Sequence, residues 1–394
     1  MSSERVLAVD FGTSCTTAAI RDADGARALE FGYERFLSSV VAVDQAGKLL
    51  TGPTAALYAA QSPERVERMP KRSLLLPRVR IAGFSFAGTD LVAELLARVR
   101  EEAEKALRGK PDQVVLTHPA AWGAAEQALL LKAAEQGGLG RPTLLPEPVA
   151  AARHYAARGK APGDRPLVVF DLGAGTFDAA VLRPVRGAYE ITHGGDAHLG
   201  GEDLTEALES LVRDLAVARD PLAWADGFGR DGTQAGQAAA ALRANLEQAK
   251  RALSDELMVP IYVPGYADPF EATRPAYETA IEDLLQRAVA ELLATLRRAG
   301  LPPGEAEHVL LAGGASRTPR VSDLLAEKLG RVPLAAPDPK TVTALGALED
   351  GQPGWGAAGP GGGGGRGGAG GDTGTDDADL DMSVVYERNL FDEL

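Results

Sequence analysis

Short apolar runs, each bounded by Gly, Pro or Asp, alternate with longer segments whose apolar positions repeat at i, i+3 or i+4 through residues 1–350. The short runs predict strands at 6–10, 17–21, 114–117, 167–171, 179–182 and 308–311. The longer segments predict helices at 90–107, 124–135, 149–158, 202–213, 235–253, 275–298 and 320–329. Alternation of this kind predicts an α/β architecture.

The pattern stops near residue 350. Residues 351–371 hold 13 Gly, too little apolar surface to offset the backbone entropy of ordering them. They read as a flexible linker reaching roughly 25 Å on average. Residues 372–394 carry eight acids and one Arg, half of the formal net charge of −14. This piece ends in an apolar cluster of Val384, Val385, Tyr386, Leu390, Phe391 and Leu394. Two readings stand: a solvated acidic tail, or a short peptide at 381–394 that docks on a protein partner or on its own body.

A chain of 394 residues suggests two to three domains. The acidic balance argues against nucleic acid held on a broad basic face. It leaves room for a small anion in a local pocket, where backbone amides supply positive potential. Cys15 is the single cysteine, which excludes an internal disulfide framework and a multi-thiolate zinc site. His118, His154, His193, His198 and His308 show no metal-ligand spacing and read as structural. There is no apolar leader after a basic start and no apolar run of about 20 residues, so the expected location is cytoplasmic, with no membrane contact.

One repeat narrows the reading further. Asp10-Phe11-Gly12-Thr13-Ser14-Cys15 and Asp171-Leu172-Gly173-Ala174-Gly175-Thr176 each follow an apolar strand and precede another, aligned without gaps at an offset of 161 residues. Two similar lobes are expected, each with a β-hairpin whose turn amides cradle phosphate oxygens. An Asp ending the first strand of each hairpin, Asp10 and Asp171, suits Mg²⁺ held through water. No GxxxxGK[ST] segment is present, so the chain is not a P-loop protein.

Further segments carry a family resemblance. They are VVLTHPAAW at 114–122, LPEPVAAARHYA at 145–156, VVFDLGAGTFDAAVL at 168–182 and GGDAHLGGEDL at 194–204. EQAKRALS at 247–254, PFEATRPAYE at 269–278 and VLLAGGASRTPRV at 309–321 complete the set. In this order they resemble the nucleotide-binding domain of the 70-kilodalton heat-shock chaperones (DnaK-type). The resemblance implies an actin-like ATPase fold: α/β, with two similar ribonuclease-H-like lobes and nucleotide in the cleft between them. Lobe I would span 1–166, with an outer subdomain at about 40–112; lobe II would span 167–335, and a helix within 336–350 would return toward lobe I.

The resemblance also implies roles. ATP or ADP would bind with Mg²⁺ on Asp10 and Asp171, and with K⁺ near Thr176 and Asp178. Gly12, Thr13, Ser14, Cys15, Gly173, Ala174 and Gly175 would line the phosphate turns, with Cys15 mainly a packing residue. Lys71 would stabilise charge on the γ-phosphoryl group, and Glu147 would position water. Gly200, Gly201, Glu202 and Asp203 would approach from lobe II. Adenosine would sit between Glu247, Lys250, Arg251 and Ser254, expected on one helix face, and Gly313, Gly314, Ser316 and Arg317.

Some positions depart from the family's pattern. Ala174 replaces a turn glycine, a cost of about 1 kcal/mol if that position needs φ > 0. Ala315 replaces a Ser, and Lys340 stands where the family usually has an Asp. The outer part of lobe I is shortened, and residues beyond 350 hold no pattern of the family's peptide-binding β-sandwich. The expected function is a slow, Mg-dependent ATPase that works as a conformational switch on a specific protein partner. A nucleotide-dependent scaffold with negligible hydrolysis is the alternative. A small-molecule kinase and an actin-like filament are weaker readings.

Overall fold

The computed structural model describes residues 4–159, 165–185, 188–196, 198–229, 233–349 and 356–357. The acidic segment 372–394, and the glycine-rich stretch 351–371 apart from 356–357, lie outside the described residues.

Two sheets organise the chain. The first runs Thr143–Pro146, Gln113–His118, Val6–Phe11, Cys15–Asp22 and Gly25–Ala28, with Leu37–Ser38 added beside Cys15–Asp22. The second runs His308–Ala312, Leu167–Leu172, Phe177–Val185 and Ala188–Asp196, with Gly356–Ala357 beyond. In each, a parallel strand flanks an antiparallel hairpin. The two hairpins share one register: Asp10 lies opposite Thr17, and Asp171 opposite Asp178. The offset of 161 residues holds through all six pairs of each hairpin.

Both faces of the hairpin strands are buried, which is why their sequences are nearly all apolar. Leu7, Val9 and Phe11 enter a core with Leu91, Leu95 and Val99 of the Gly88–Ala106 helix. Val168, Phe170 and Leu172 enter a second core, with Leu204, Leu208, Ile281 and Leu285 from the Gly201–Arg219 and Arg274–Arg298 helices. The alternate residues Val6, Ala8, Leu167 and Val169 meet in a third core. Val149–Ala152 and Val342, from the Glu147–Ala157 and Val342–Ala347 helices, fill the space between the sheets. These two helices cross closely, because a methyl on Gly346 would overlap the Ala150 carbonyl.

The predicted strands and helices are all present, with ends shifted by a few residues; the 202–213 helix runs on to Arg219. The sequence pattern missed the Gly52–Gln61 and Pro221–Phe228 helices, which are short, whereas the Val342–Ala347 helix falls within the 336–350 segment where the resemblance implied one. It also missed the edge strands Gly25–Ala28 and Thr143–Pro146. Smaller sheets at Val41–Val43 with Leu49–Leu50 and Val66–Glu67, and at Val79–Ile81 with Phe84–Phe86, lie on the first lobe. The Met258–Ile261 and Phe270–Thr273 pair lies on the second. Among the described residues no helix is long and apolar enough to cross a membrane.

Candidate functional site

The hairpin turns face each other across the cleft. Gly175 sits so close to Thr13 that a methyl on it would lie 2.8 Å from Thr13 Cγ2. Arg72, on the short Pro70–Ser73 helix, donates from its Nη2 to the Gly175 carbonyl at 2.6 Å and so spans the cleft. Neither turn uses left-handed backbone at a non-glycine position: positive φ at such residues falls at Ala82 and Arg108 among the described residues. Ala174 therefore carries no left-handed strain, and the cost expected for it does not arise. Gly313 differs. It has φ 76°, and a side chain there would strike the Leu172 carbonyl and the Asp171 carboxylate.

The charged centre is built from strand ends and one helix start. Asp10 and Asp171 occupy equivalent positions in the two hairpins, and Asp178 is the partner of Asp171. Glu147, 8% exposed, begins the helix that follows the Thr143–Pro146 strand. Lys71 Nζ donates to Glu147 Oε1 at 2.8 Å, and Thr117 Oγ1 donates to Asp10 Oδ1 at 2.9 Å. Four carboxylates thus surround one ammonium. Burial, then the charge of Glu147, pushes Asp10 and Asp178 up to about 6. The same two causes drive Asp171 well above the usual carboxylate range. Burial opposes the charge on Lys71, but Glu147, Asp10 and Asp178 outweigh it and its pKa is raised. A cavity of about 10 Å³, lined by Glu147, Pro148, Asp171, Asp178 and His193, has room for about one water.

A buried carboxylate excess of this kind fits a cation. Among the described residues no His, Cys, Asp or Glu cluster converges as a direct ligand set; carboxylates at strand ends are groups that can hold a hydrated Mg²⁺ through its waters. Glycines at the turns leave space where side chains would collide: a methyl on Gly12 would meet the Cys15 carbonyl, and one on Gly200 the Ala174 carbonyl at 2.5 Å.

Other singled-out residues take specific partners. Ser14 Oγ donates to Glu202 Oε1 at 3.2 Å, joining the first hairpin to the Gly201–Arg219 helix. Glu202 also pairs with Arg243. Asp203 caps that helix by accepting from the Gly200 amide at 2.7 Å. Asp178 accepts a hydrogen bond from Thr176. Gly173 closes its turn on the Thr176 carbonyl at 3.0 Å and accepts from the Gly201 amide. Lys250 donates to the Gly201 carbonyl and to Thr205 Oγ1. Burial, above all, pulls its ammonium down to about 8. Glu247 lies 3.9 Å from Arg251, and Arg317 lies 3.7 Å from Asp255, both as exposed pairs. Ser316 is buried and donates to the Ala312 carbonyl at 2.6 Å, beside Gly314. Cys15 opens the second hairpin strand, and burial raises its thiol pKa.

One expectation fails. The Thr233–Ala252 helix ends before Ser254, whose amide closes a turn on the Arg251 carbonyl. Glu247, Lys250 and Arg251 share the helix, whereas Ser254 leaves it, because the chain turns there toward the Met258–Ile261 strand. Sequence reading missed Thr117 and Arg243, and took Arg72 no further than a functional cation beside Lys71. A basic residue adjoining Lys71, and a Thr ending the strand beside Asp10, were the available signals.

The sequence profile of a family described as "Hsp70 protein" matches residues 7–351. Chaperone protein HscA of Pectobacterium carotovorum subsp. carotovorum is 31% identical over 366 residues, covering 86% of this chain and 57% of that protein. Chaperone protein DnaK of Thermus thermophilus is 30% identical over 378 residues, covering 87% of this chain and 60% of that protein. The chain thus spans 57–60% of the length of these relatives.

Proposed function

Because this chain belongs to the Hsp70 family, we propose that it binds ATP in the cleft between its lobes, hydrolyses it slowly, and uses the change to control a protein partner. Its two-lobed α/β architecture is the actin-like ATPase fold of that family. The observation that carries the reading is the Lys71–Glu147 pair set among Asp10, Asp171 and Asp178 at the junction of two matching hairpins.

Phosphoryl transfer to water asks for in-line placement and neutralised charge. Mg²⁺, held through water on Asp10 and Asp171 with K⁺ near Thr176 and Asp178, supplies charge neutralisation when bound. Gly12, Thr13, Ser14, Cys15, Gly173, Ala174 and Gly175 hold the phosphates from both sides with turn amides and the Thr13 hydroxyl. Gly200, Gly201, Glu202 and Asp203 close the lobe II side. Lys71 stabilises negative charge on the γ-phosphoryl oxygens. Glu147 orients the attacking water, whose oxygen bonds to the γ-phosphorus as the bond to the leaving ADP oxygen breaks, and the proton of the water passes to solvent. Glu247, Lys250, Arg251 and Ser254 hold the adenosine from one side, and Gly313, Gly314, Ser316 and Arg317 from the other. The partner is a protein, since the relatives are named as chaperones. The expected docking segment, 381–394, lies outside the described residues.

The test is steady-state phosphate release with Mg²⁺ and K⁺, for the wild type and for Lys71→Ala. Slow release abolished by the substitution is expected. Tight ATP binding with no release would replace the enzyme by a nucleotide-stabilised scaffold.

A further inference from the structure

Lys340 lies in the turn before the Val342–Ala347 helix. Its carbonyl accepts from Thr17 Oγ1 at 3.2 Å, which ties the turn to the first phosphate hairpin opposite Asp10. Its stem lies against Gly314: a methyl there would be 3.3 Å from Lys340 Cε and 3.5 Å from Cγ. Its ammonium rests over the Phe36 ring, 3.9 Å from the centroid. The side chain therefore runs from the hairpin, past Gly314, to the Phe36 ring beside the Leu37–Ser38 strand, which pairs with Cys15 and Thr16 of the first phosphate hairpin.

Charge agrees with this placement. Burial raises the Cys15 thiol pKa, and Lys340 is the strongest charge opposing it. Lys340 also acts on Lys250, together with Arg251 and Arg243. No carboxylate pairs with Lys340 among the described residues. Its ammonium meets the Phe36 ring, an interaction of modest strength for a partly buried cation. A cation kept without a counter-ion, beside other cations and between two ligand-facing segments, fits an anionic ligand group.

We propose that Lys340 is a further nucleotide-contacting residue whose charge meets the phosphate chain of a bound nucleotide, and that it favours phosphate-bearing ligands over the bare nucleoside. The proposal rests on the nucleotide-binding reading above. It adds one charged side chain to the phosphate contacts that the turn amides supply, so the part of the ADP preference it carries falls as salt rises.

The experiment is calorimetric titration of the full chain with ADP and with adenosine, in Mg²⁺ buffer at low and high salt. It compares the wild type, Lys340→Gln and Lys340→Arg. Lys340→Gln is expected to weaken ADP binding about fivefold at low salt, with a smaller loss at high salt where the charge is screened. Adenosine binding stays as in the wild type, and Lys340→Arg keeps most of the ADP affinity. Unchanged ADP affinity in Lys340→Gln overturns the proposal. So does an equal loss for ADP and adenosine, which marks a packing role against Phe36 and Gly314. Both outcomes leave nucleotide binding itself intact. A wild-type chain that takes up neither ligand overturns the nucleotide reading and the Lys340 role together.

Discussion

Thr13 and Gly175, 162 positions apart, meet across the cleft with no room for one added methyl: a Cβ on Gly175 would lie 2.8 Å from Thr13 Cγ2. Gly175→Ala forces the turns apart or displaces Thr13, a cost of about 1–3 kcal/mol for overpacking. ADP affinity is expected to fall about tenfold or more. Adding Thr13→Ser removes the methyl and keeps the hydroxyl, so the double variant recovers much of the loss. Calorimetric titrations around the double-mutant cycle check this. Strictly additive losses would show that the Thr13 methyl is not the obstacle.

Lys71 and Glu147 form the innermost ion pair among the described residues, with side chains 13% and 11% exposed. Glu147→Gln keeps the shape and removes the charge. The expected result is a fall in the single-turnover hydrolysis rate of about 10²-fold, with ATP affinity changed only a few-fold. A fall in affinity as large as the fall in rate would give Glu147 a binding role instead.

Asp10 and Asp178, pushed up to about 6 by burial and by Glu147, bind protons more tightly folded than unfolded. Such groups add stability at low pH and lose it as pH rises through their folded pKa. The ligand-free, metal-free chain therefore gains from them as pH falls from about 6 toward 4. Asp22 and Glu282, held down to about 2 by hydrogen bonds from Arg27 and Arg320, act the other way at lower pH. Mg²⁺ competes with protons for the raised carboxyls, so Mg²⁺ and ADP together stabilise more at pH 7.5 than at pH 5. Thermal unfolding with and without Mg²⁺ and ADP at both pH values checks the sign, and Asp10→Asn flattens the difference. A larger stabilisation at pH 5 would contradict it.

Gly346 lets the Val342–Ala347 helix seat on Ala150. Gly346→Ala places a methyl on the Ala150 carbonyl, which neither backbone can yield cheaply. A loss of about 1–3 kcal/mol is expected, read as a lower urea midpoint with an unchanged slope. An unchanged midpoint would mean that the helices slide apart at no cost.

Much of this protein was legible in the residues alone. Val6–Phe11 and Leu167–Leu172 read as strands because apolar runs ending at Asp and Gly are local signals. The 161-residue offset, visible as text, returns as identical hairpin register. Short elements such as Pro221–Phe228 escaped, since eight residues give too little period to recognise, and Val342–Ala347, which packs on the Glu147–Ala157 helix, was legible only through the family resemblance. Ser254 was misplaced because periodicity counts positions and does not register where a helix stops.

The sequence by itself determined the two hairpins, their carboxylates and their glycine turns, since each is set by neighbours within a few residues. Only the tertiary structure decided the partners. Lys71 meets Glu147, Arg72 reaches Gly175, Ser14 reaches Glu202, and Lys340 lies between Gly314 and Phe36. These pairs join segments tens to hundreds of residues apart. Their charges and hydrogen bonds act only over a few ångströms, so they depend on how the sheets bring distant strand ends together and not on any local pattern.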